Sequence, residues 1–329
     1  MDVLWLTPDK PANISVGRQR IAEQLRDAGF NVVVRGTTRE TVATSLRERG
    51  AYDAVVGVTR IGAFAGLLVS TVHRIPLIVD HIDPIRQFAE TDSRLLAPFV
   101  ALAENITFRL AEHVLYVYEE ERPRVQRYST GATKTDLGVD FDPIANPSPK
   151  VVERANELLP ADLRSNVAIY IGGLEPLYNI EPLLESVDHL DDWSLVIAGA
   201  GSLEDRVRER ADGDQIVFVG SVEHELIPGL LSAADVGVSL VDDPHTLKVL
   251  EYGAAGLSVV QVDGCTRERF EDRVIYCRPT PELIADAIRT AGDKDGDRLR
   301  SFARQFDWGE IAATYESGLL AAVSDACQR

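Results

Sequence analysis

Short apolar runs that alternate with segments of helical periodicity are the feature that most limits the fold of this chain. Residues 2–7 form the first run, and residues 18–28 follow with apolar side chains spaced as on one face of a helix. Residues 30–34 are the next run, and the same succession starts again at residues 167–172. Because strands that alternate with helices build parallel sheets, the sequence predicts an α/β protein with two Rossmann-like units.

The other elements follow from the same pattern. Helices are predicted at 61–72, 180–190, 203–211, 226–233, 281–291 and 308–322, and strands at 52–58, 75–79, 113–118, 194–198, 216–219, 236–240 and 257–262. Residues 8–17 form a polar loop in this prediction, and residues 143–149, with three prolines, form a linker. We therefore expect an N-terminal domain over 1–145, a second domain over 150–305, and a C-terminal helix at 306–329 that returns to the first domain.

Charge limits the partners and suggests the source. The chain of 329 residues has a formal net charge of −18, which opposes binding to the phosphate backbone of nucleic acids. Only five of its 34 basic residues are lysines. An acidic surface that is poor in lysine suits a cytoplasm of very high salt, where screening makes the charge tolerable. We expect a halophilic archaeal source, with an ordinary acidic bacterial enzyme as the alternative.

The sequence contains no sign of a secreted or membrane-spanning protein. Its three cysteines are widely spaced and form no C-x-x-C pair, which argues against a disulfide scaffold and against a zinc site. The N-terminus lacks a basic segment followed by a long apolar run, and no stretch has 18 apolar residues. We expect a cytoplasmic protein whose membrane contact, if it has one, is peripheral.

Residues 93–111 form a long apolar helix in this prediction, interrupted by Pro98. Such a helix either faces the core or forms a patch on a membrane surface, which would suit a lipid-linked acceptor. Its few polar residues are not strongly basic, and this favours the core-facing interpretation.

The segment 243–260 carries the strongest functional pattern. Asp243 and Glu251 lie eight positions apart, about two helical turns, so that both carboxylates are predicted near one helix face, and Lys248 can share that face. Gly256 is a candidate helix cap before a buried strand. Amides at the helix start and Lys248 can bind phosphate oxygens, and Glu251 can accept hydrogen bonds from two ribose hydroxyls. A solvated amphipathic helix is the alternative.

This segment resembles the nucleotide-sugar signature of the family 4 retaining glycosyltransferases, in which an acidic residue precedes a glutamate by eight positions. The first residue of the family's pair is usually Glu, so that Asp243 is a shortened version. The resemblance implies a GT-B fold of two facing Rossmann-like domains with an interdomain cleft. It also implies a nucleotide diphosphate sugar as donor, a saccharide or lipid-linked glycan as acceptor, retention of anomeric configuration, and no metal or other cofactor.

The resemblance also implies a set of site residues. His81, Asp243 and Lys248 are the catalytic candidates. The candidates for donor binding are Gly172, Gly173, Gly199, Gly201, Gly220, Val222, Thr246, Leu247, Lys248 and Glu251. Arg18, at a predicted helix start, either meets an anionic acceptor or lies on the surface.

Two positions depart from the family. Where it offers an Arg and then a Lys to the pyrophosphate, this chain has Gly173 and Tyr178. Lys248 is then the candidate for the missing charge. The residues Asp140 and Asp142 form a D-x-D pattern, but the resemblance assigns them to the loop that closes the N-terminal domain and not to a metal site. A GT-B sugar-nucleotide epimerase and a non-catalytic partner of an active transferase remain as alternatives.

Overall fold

The computed structural model describes residues 1–8, 13–211, 213 and 215–327. The chain divides into two compact units, unit 1 with Met1–Gly138 and Trp308–Arg329, and unit 2 with Val139–Asp307. The chain passes from unit 1 to unit 2 at Gly138, before the predicted linker at 143–149. Part of that linker is helical, because Phe141–Ala145 forms a short helix and the next helix begins at Pro149.

Unit 1 is built on a six-stranded sheet in which every neighbouring pair of strands is parallel. Its strand order is β2-β1-β3-β4-β5-β6. The elements in chain order are β1 Asp2–Thr7, α1 Asn13–Asp27, β2 Asn31–Gly36, α2 Arg39–Arg47, β3 Ala54–Val58, α3 Thr59–His73, β4 Leu77–His81, α4 Ile85–Thr91, α5 Ala97–Leu110, β5 His113–Tyr116, α6 Arg122–Tyr128 and β6 Ala132–Lys134.

Unit 2 repeats the plan with a second six-stranded parallel sheet, in the order β12-β11-β10-β7-β8-β9. Its elements are α7 Phe141–Ala145, α8 Pro149–Asn156, β7 Asn166–Ile171, α9 Ile180–Ser186, β8 Trp193–Ala198, α10 Glu204–Arg210, β9 Ile216–Gly220, α11 Ile227–Leu231, β10 Val236–Ser239, α12 Leu247–Ala255, β11 Ser258–Val262, α13 Arg267–Phe270, β12 Ile275–Cys277, α14 Pro281–Gly292 and α15 Asp297–Ala303. The last helix, α16 Trp308–Cys327, belongs to unit 1.

The sheet of unit 2 is covered on both faces. Ala168 and Tyr170 of β7 pack into one buried apolar cluster, whereas Val167 and Ile169 pack into another. Successive side chains of a strand point to opposite faces. A strand that is covered on both sides must therefore be apolar at nearly every position, which explains the continuous apolar runs in the sequence. The α/β fold with two parallel sheets is confirmed.

A buried ion pair connects α1 and α16 to the sheet of unit 1. Arg18 donates to both oxygens of Asp80 at 2.7 and 3.0 Å, and the Tyr315 hydroxyl donates to the same carboxylate at 2.8 Å. The ring of Tyr315 stacks on Trp5 with 5.6 Å between ring centroids. Both interpretations of Arg18 from the sequence were wrong, since its side chain is only 1% exposed and is paired inside the unit.

Two predicted helices differ in their bounds. α1 begins at Asn13, so that part of the predicted loop 8–17 is helical, while residues 9–12 lie outside the described residues. α5 begins at Ala97, and Pro98 lies in its first turn, where an amide hydrogen is not needed for the helix. Pro98 therefore starts this helix and does not interrupt it.

The core-facing interpretation of this helix was right for only one of its sides. Its inner side is buried, but Phe99, Leu102 and Ile106 are exposed. Within the described ranges, no helix combines the length and the apolarity that are needed to span a bilayer.

Candidate functional site

The strand order of unit 2 places a ligand site at one point of its sheet. β7 and β10 are neighbouring parallel strands, although they are far apart in the chain. From β7 the next strands in sequence, β8 and β9, are added on one side, and from β10 the strands β11 and β12 are added on the other. Open α/β sheets bind ligands beyond the carboxyl ends of the strands at such a reversal. Here those ends lead into Gly172 after β7 and into the loop 240–246 before α12.

The helix α12 is the core of the predicted signature. It begins at Leu247 after Thr246, whose backbone is extended and whose side chain accepts no hydrogen bond from the first turn. It ends at Gly256, whose positive φ of 84° confirms the predicted glycine cap. The first-turn amides of such a helix form the positive end of its dipole and bind anions. Thr246 and Leu247 therefore lie at an anion-binding helix start.

Asp243 does not lie on this helix. Its Oδ1 accepts a hydrogen bond from the amide of His245 at 2.9 Å, in the loop before α12. The prediction that Asp243 and Glu251 share one helix face was wrong. The loop turns before the helix starts, because Asp243 closes a local hydrogen bond of the kind that competes with helix formation.

Lys248 is held between two aromatic rings. Its Nζ donates to the Tyr170 hydroxyl at 3.0 Å and lies 4.5 and 4.0 Å from the ring centroids of Tyr170 and Tyr178. Burial lowers the pKa of Lys248 to about 8, although the charge of Glu251 acts in the opposite direction. A solvated lysine on an exposed face would show none of these contacts, and that alternative is excluded.

Glycine makes room for this arrangement. Gly172 has a φ of 151°, and a Cβ there would lie 2.3 Å from Cε of Lys248. Gly199 has a φ of 143°, and a Cβ there would lie 1.8 Å from the carbonyl oxygen of Gly172. A Cβ at Gly201 would lie 2.5 Å from the carbonyl oxygen of Leu174. The loops after β7 and β8 can approach each other only with glycine at these positions.

Tyr178 and Gly173 adjoin the same lysine. The Tyr178 ring lies over the Lys248 ammonium, and a Cβ at Gly173 would lie 3.0 Å from that ring. The Tyr170 hydroxyl donates in turn to the carbonyl oxygen of Gly173 at 2.6 Å. The two positions at which the family offers cations therefore adjoin a single buried ammonium from α12.

Glu251 lies on α12 one turn beyond Lys248. Burial raises the pKa of its carboxyl, while the charges of His224 and Lys248 lower it and that of Asp140 raises it. In the described part of the chain its carboxylate accepts no hydrogen bond, which leaves both oxygens available to a ligand. Sequence reasoning missed His224, whose Nε2 is 3.9 Å from Asp140. Its position shortly after Gly220 and Val222, two predicted base-binding residues, was the available signal.

His81 lies in unit 1, in the strand β4 and not after it. Its ring is 4% exposed, and its Nε2 lies 3.1 Å from Glu121, which also accepts hydrogen bonds from Arg124 and the Ile85 amide. Although burial acts against it, the hydrogen bond from His81 helps to lower the pKa of Glu121 to about 2. One ring nitrogen of His81 is thus engaged inside unit 1, and its catalytic role remains a prediction.

Comparison with known proteins finds a family that resembles part of this chain. Residues 165–293 match the family described as Glycosyl transferases group 1. The matched segment contains β7, the glycine loops and α12. It therefore includes every donor-binding candidate named above, and this part of the chain is similar to the family.

A curated relative also matches part of the chain. The GDP-mannose-dependent alpha-(1-6)-phosphatidylinositol dimannoside mannosyltransferase of Mycobacterium tuberculosis (strain ATCC 25177 / H37Ra) is 34% identical over 160 residues, which are 45% of this chain and 42% of the relative. The match thus spans less than half the length of that enzyme.

Solved structures share the fold over nearly the whole chain. Anabaena HepE in complex with UDP has a TM-score of 0.76 at 18% identity, over 98% of this chain and 100% of its own. Sucrose-phosphate synthase from Thermosynechococcus elongatus has a TM-score of 0.72 at 17% identity, over 96% of this chain and 98% of its own. The UDP-GlcNAc 2-epimerase of Methanocaldococcus jannaschii has a TM-score of 0.63 at 13% identity, over 92% of this chain and 99% of its own. The predicted GT-B fold is confirmed, whereas membership of family 4, retention and a halophilic source stay predictions.

Proposed function

We propose that this chain is a glycosyltransferase that binds a nucleotide diphosphate sugar in unit 2. It transfers the sugar to a saccharide or to a lipid-linked glycan. The observation that carries this proposal is the position of Lys248. Its ammonium lies between two tyrosine rings, on a helix that starts at the reversal point of the sheet. The group 1 match over 165–293 includes this site.

Each group has a part in donor binding. The first-turn amides of α12 and the Lys248 ammonium balance the charge of the leaving diphosphate. The Glu251 carboxylate accepts hydrogen bonds from the ribose hydroxyls. Gly172, Gly173, Gly199 and Gly201 let backbone approach the ligand closely, and Gly220 with Val222 borders the base. In this proposal Asp243 contacts the transferred sugar.

The proposed reaction retains the anomeric configuration and uses no metal, with the leaving phosphate helping to deprotonate the acceptor. The D-x-D pattern is divided between two partners, since Asp140 lies 3.9 Å from His224 and Asp142 lies 3.6 Å from Arg304. Each carboxylate thus faces its own basic partner, Asp140 just before α7 and Asp142 in the first turn of that helix, which supports a reaction without a metal at this pattern. Turnover that is unchanged by EDTA would agree with it, and turnover restored only by a divalent cation would contradict it.

The acceptor proposal draws on the curated relative, whose name places its acceptor among phosphatidylinositol mannosides. A lipid-linked glycan is therefore the first acceptor class to test, with free saccharides second. We include a cytoplasmic location and peripheral contact with the membrane in the proposal.

A panel of nucleotide sugars tests the donor and the reaction together. GDP-mannose, UDP-glucose and UDP-GlcNAc are screened by thermal shift in molar KCl, and every donor that raises the melting temperature is then incubated with acceptors. Transfer releases the nucleoside diphosphate. An epimerase, which the fold alone also allows, would change the sugar of UDP-GlcNAc without transferring it to an acceptor. A donor that binds but is never consumed would contradict the enzyme proposal and favour a non-catalytic partner.

A further inference from the structure

Exposed apolar side chains are concentrated on one surface of unit 1. Fourteen large hydrophobic side chains are exposed among the described residues, and ten of them lie on α3, on α5 or in the turn before α5. We name this surface the α3–α5 face, and its members are Ile61, Phe64, Leu68, Val72, Leu95, Leu96, Phe99, Leu102, Ile106 and Leu110. The other four are scattered over the rest of the described chain. Such a concentration marks an interaction site, whereas single exposed leucines need no explanation.

The periodicity shows that these residues line whole helix faces. On α3 the exposed positions follow each other at intervals of three or four residues, and so do those on α5 from Phe99 onward. The opposite side of each helix is already buried, with Val69 on α3 and Phe108 on α5 in the core of unit 1. Both helices are thus apolar on the outside as well, and since α3 packs against α5, their outer sides form one surface.

The charges of this surface differ from those of the chain as a whole. Thr59–His73 contains no acidic residue, and from Ser93 to Leu110 the only one is Glu104. Glu104 is 3% exposed and lies within 2.8 Å of Arg60 and 2.6 Å of Arg124. Among the described residues, the exposed charged side chains next to the apolar ones are Arg74 after α3, Arg94 before α5 and Arg109 near the end of α5, and all three are positive. The nearest exposed acid in sequence is Asp92, which follows α4. A chain with net charge −18 thus keeps its acidic residues off this surface.

We propose that the α3–α5 face docks on an anionic lipid bilayer, with the two helices lying in the plane of the headgroups. Apolar side chains would enter the acyl boundary, and the flanking arginines would meet anionic headgroups. Helices of 15 and 14 residues present about 20 Å of apolar surface each. The inference rests on the membrane contact of the proposed function and deepens it by naming the surface. Lipid binding is measured without turnover, so that a failure to bind lipid leaves the transferase proposal standing.

Charge decides between a bilayer and a second copy of the chain. A two-fold dimer through this face would bring Arg94 and Arg109 of one copy against the same positive surface of the other copy, and these like charges repel each other. An anionic bilayer pairs the same arginines with opposite charge. The surface is therefore better matched by lipid than by itself.

Vesicle co-sedimentation tests the proposal. The protein is titrated with vesicles of phosphatidylcholine alone and of phosphatidylcholine mixed with phosphatidylglycerol, at a salt concentration where its melting temperature shows it to be folded. The test variant is Phe99→Glu/Leu102→Glu, and the matched control is Leu283→Glu/Leu320→Glu, which puts the same charges at exposed helical leucines elsewhere. A third variant, Arg94→Gln/Arg109→Gln, tests the headgroup contact. Because all of these side chains are exposed, the melting temperatures should stay close to wild type.

The expected result is that wild type and control bind the mixed vesicles equally, whereas the test variant binds at least about tenfold more weakly. The arginine variant should lose roughly fivefold per arginine on mixed vesicles and nothing on phosphatidylcholine alone. Wild-type protein that stays in the supernatant would overturn the proposal, and so would a test variant that binds like the control. A wild-type dimer that the test variant converts to monomer would assign the surface to a second copy and overturn it as well.

Discussion

Replacing Lys248 is the sharpest test of the donor site. We expect both Lys248→Ala and Lys248→Gln to lower kcat about 10²–10³-fold, the loss seen when one preorganised partner of a developing anion is removed. The structure supports this size, because Gly173 and Tyr178 supply no charge and the Lys248 ammonium is the cation that the two loops surround. One unit charge about 4 Å from a phosphate oxygen contributes about 4 kcal/mol at an effective dielectric constant near 20.

Comparing the two substitutions separates the effect of the lost charge from the effect of the shortened side chain. Lys248→Gln keeps most of the length and loses the charge, so that equal losses in both variants would identify charge as the cause. Lys294→Gln is the matched control, since Lys294 is an exposed lysine of the same unit. Burial already disfavours the charged form of Lys248, as its pKa of about 8 indicates. Removing the charge should therefore leave the melting temperature unchanged or raise it.

The assay is nucleoside diphosphate release at saturating donor and acceptor, with the melting temperature of each variant measured alongside. Near-wild-type kcat in both variants would show that another residue carries the phosphate charge. Lost turnover together with a melting temperature several degrees lower would mean that Lys248 supports the fold and not the reaction. Either outcome refutes the argument from the aromatic contacts.

The remaining predictions concern the same site and the surface charge. Glu251→Ala should weaken donor binding by about 2–3 kcal/mol in calorimetry with the melting temperature unchanged, since hydrogen bonds to a charged group are lost; unchanged affinity would remove the ribose assignment. Gly172→Ala should reduce turnover as much as Lys248→Ala, because its Cβ would lie 2.3 Å from Lys248 Cε; wild-type activity would show that the lysine can move away at no cost. Donor affinity should fall as the pH rises above about 8, where Lys248 loses its proton, and Lys248→Gln should abolish that dependence. Between about pH 8 and 10.5 the free energy of unfolding of the ligand-free protein should rise, since the unfolded chain there binds more protons at Lys248 than the folded one. The melting temperature should rise from dilute buffer to molar KCl as the net charge of −18 is screened, and a constant value would remove the halophile argument.

The sheets could be predicted because burial on both faces leaves a clear pattern. Strands such as β7 and β8 are apolar at nearly every position, and their predicted bounds differ from the structure by at most one residue at each end. Polar helices were harder to find. α2 was not predicted, and its capping box is formed by Thr38 and Thr41, without the glutamate or glutamine that usually marks such a start.

Contacts between distant residues could not be predicted. Lys248 and Tyr170 are 78 positions apart, and no local pattern brings an ammonium to a tyrosine hydroxyl over that separation. The exposed apolar side of α5 was not predicted for another reason. Periodicity identifies an inner face by contrast with a polar outer face, and a helix with Phe99 and Leu102 outside and Phe108 inside offers no such contrast.

In the proposed function, the environment of Lys248 explains how one cation serves where family 4, which the signature resembles, offers two. A buried lysine paired with a carboxylate has its charge neutralised before a ligand arrives. Here the ammonium is held by a hydroxyl at 3.0 Å and by the faces of two aromatic rings, which attract it through their quadrupoles without neutralising it. Among the described residues, Glu251 is the acid whose charge raises the pKa of Lys248, and this effect is smaller than that of burial. Within the described residues the structure records no ion pair for the Lys248 ammonium, and in the proposed function the diphosphate becomes its counter-ion. Tyr178 stands where the resembled family has a lysine, and in the structure its ring contacts the ammonium of Lys248.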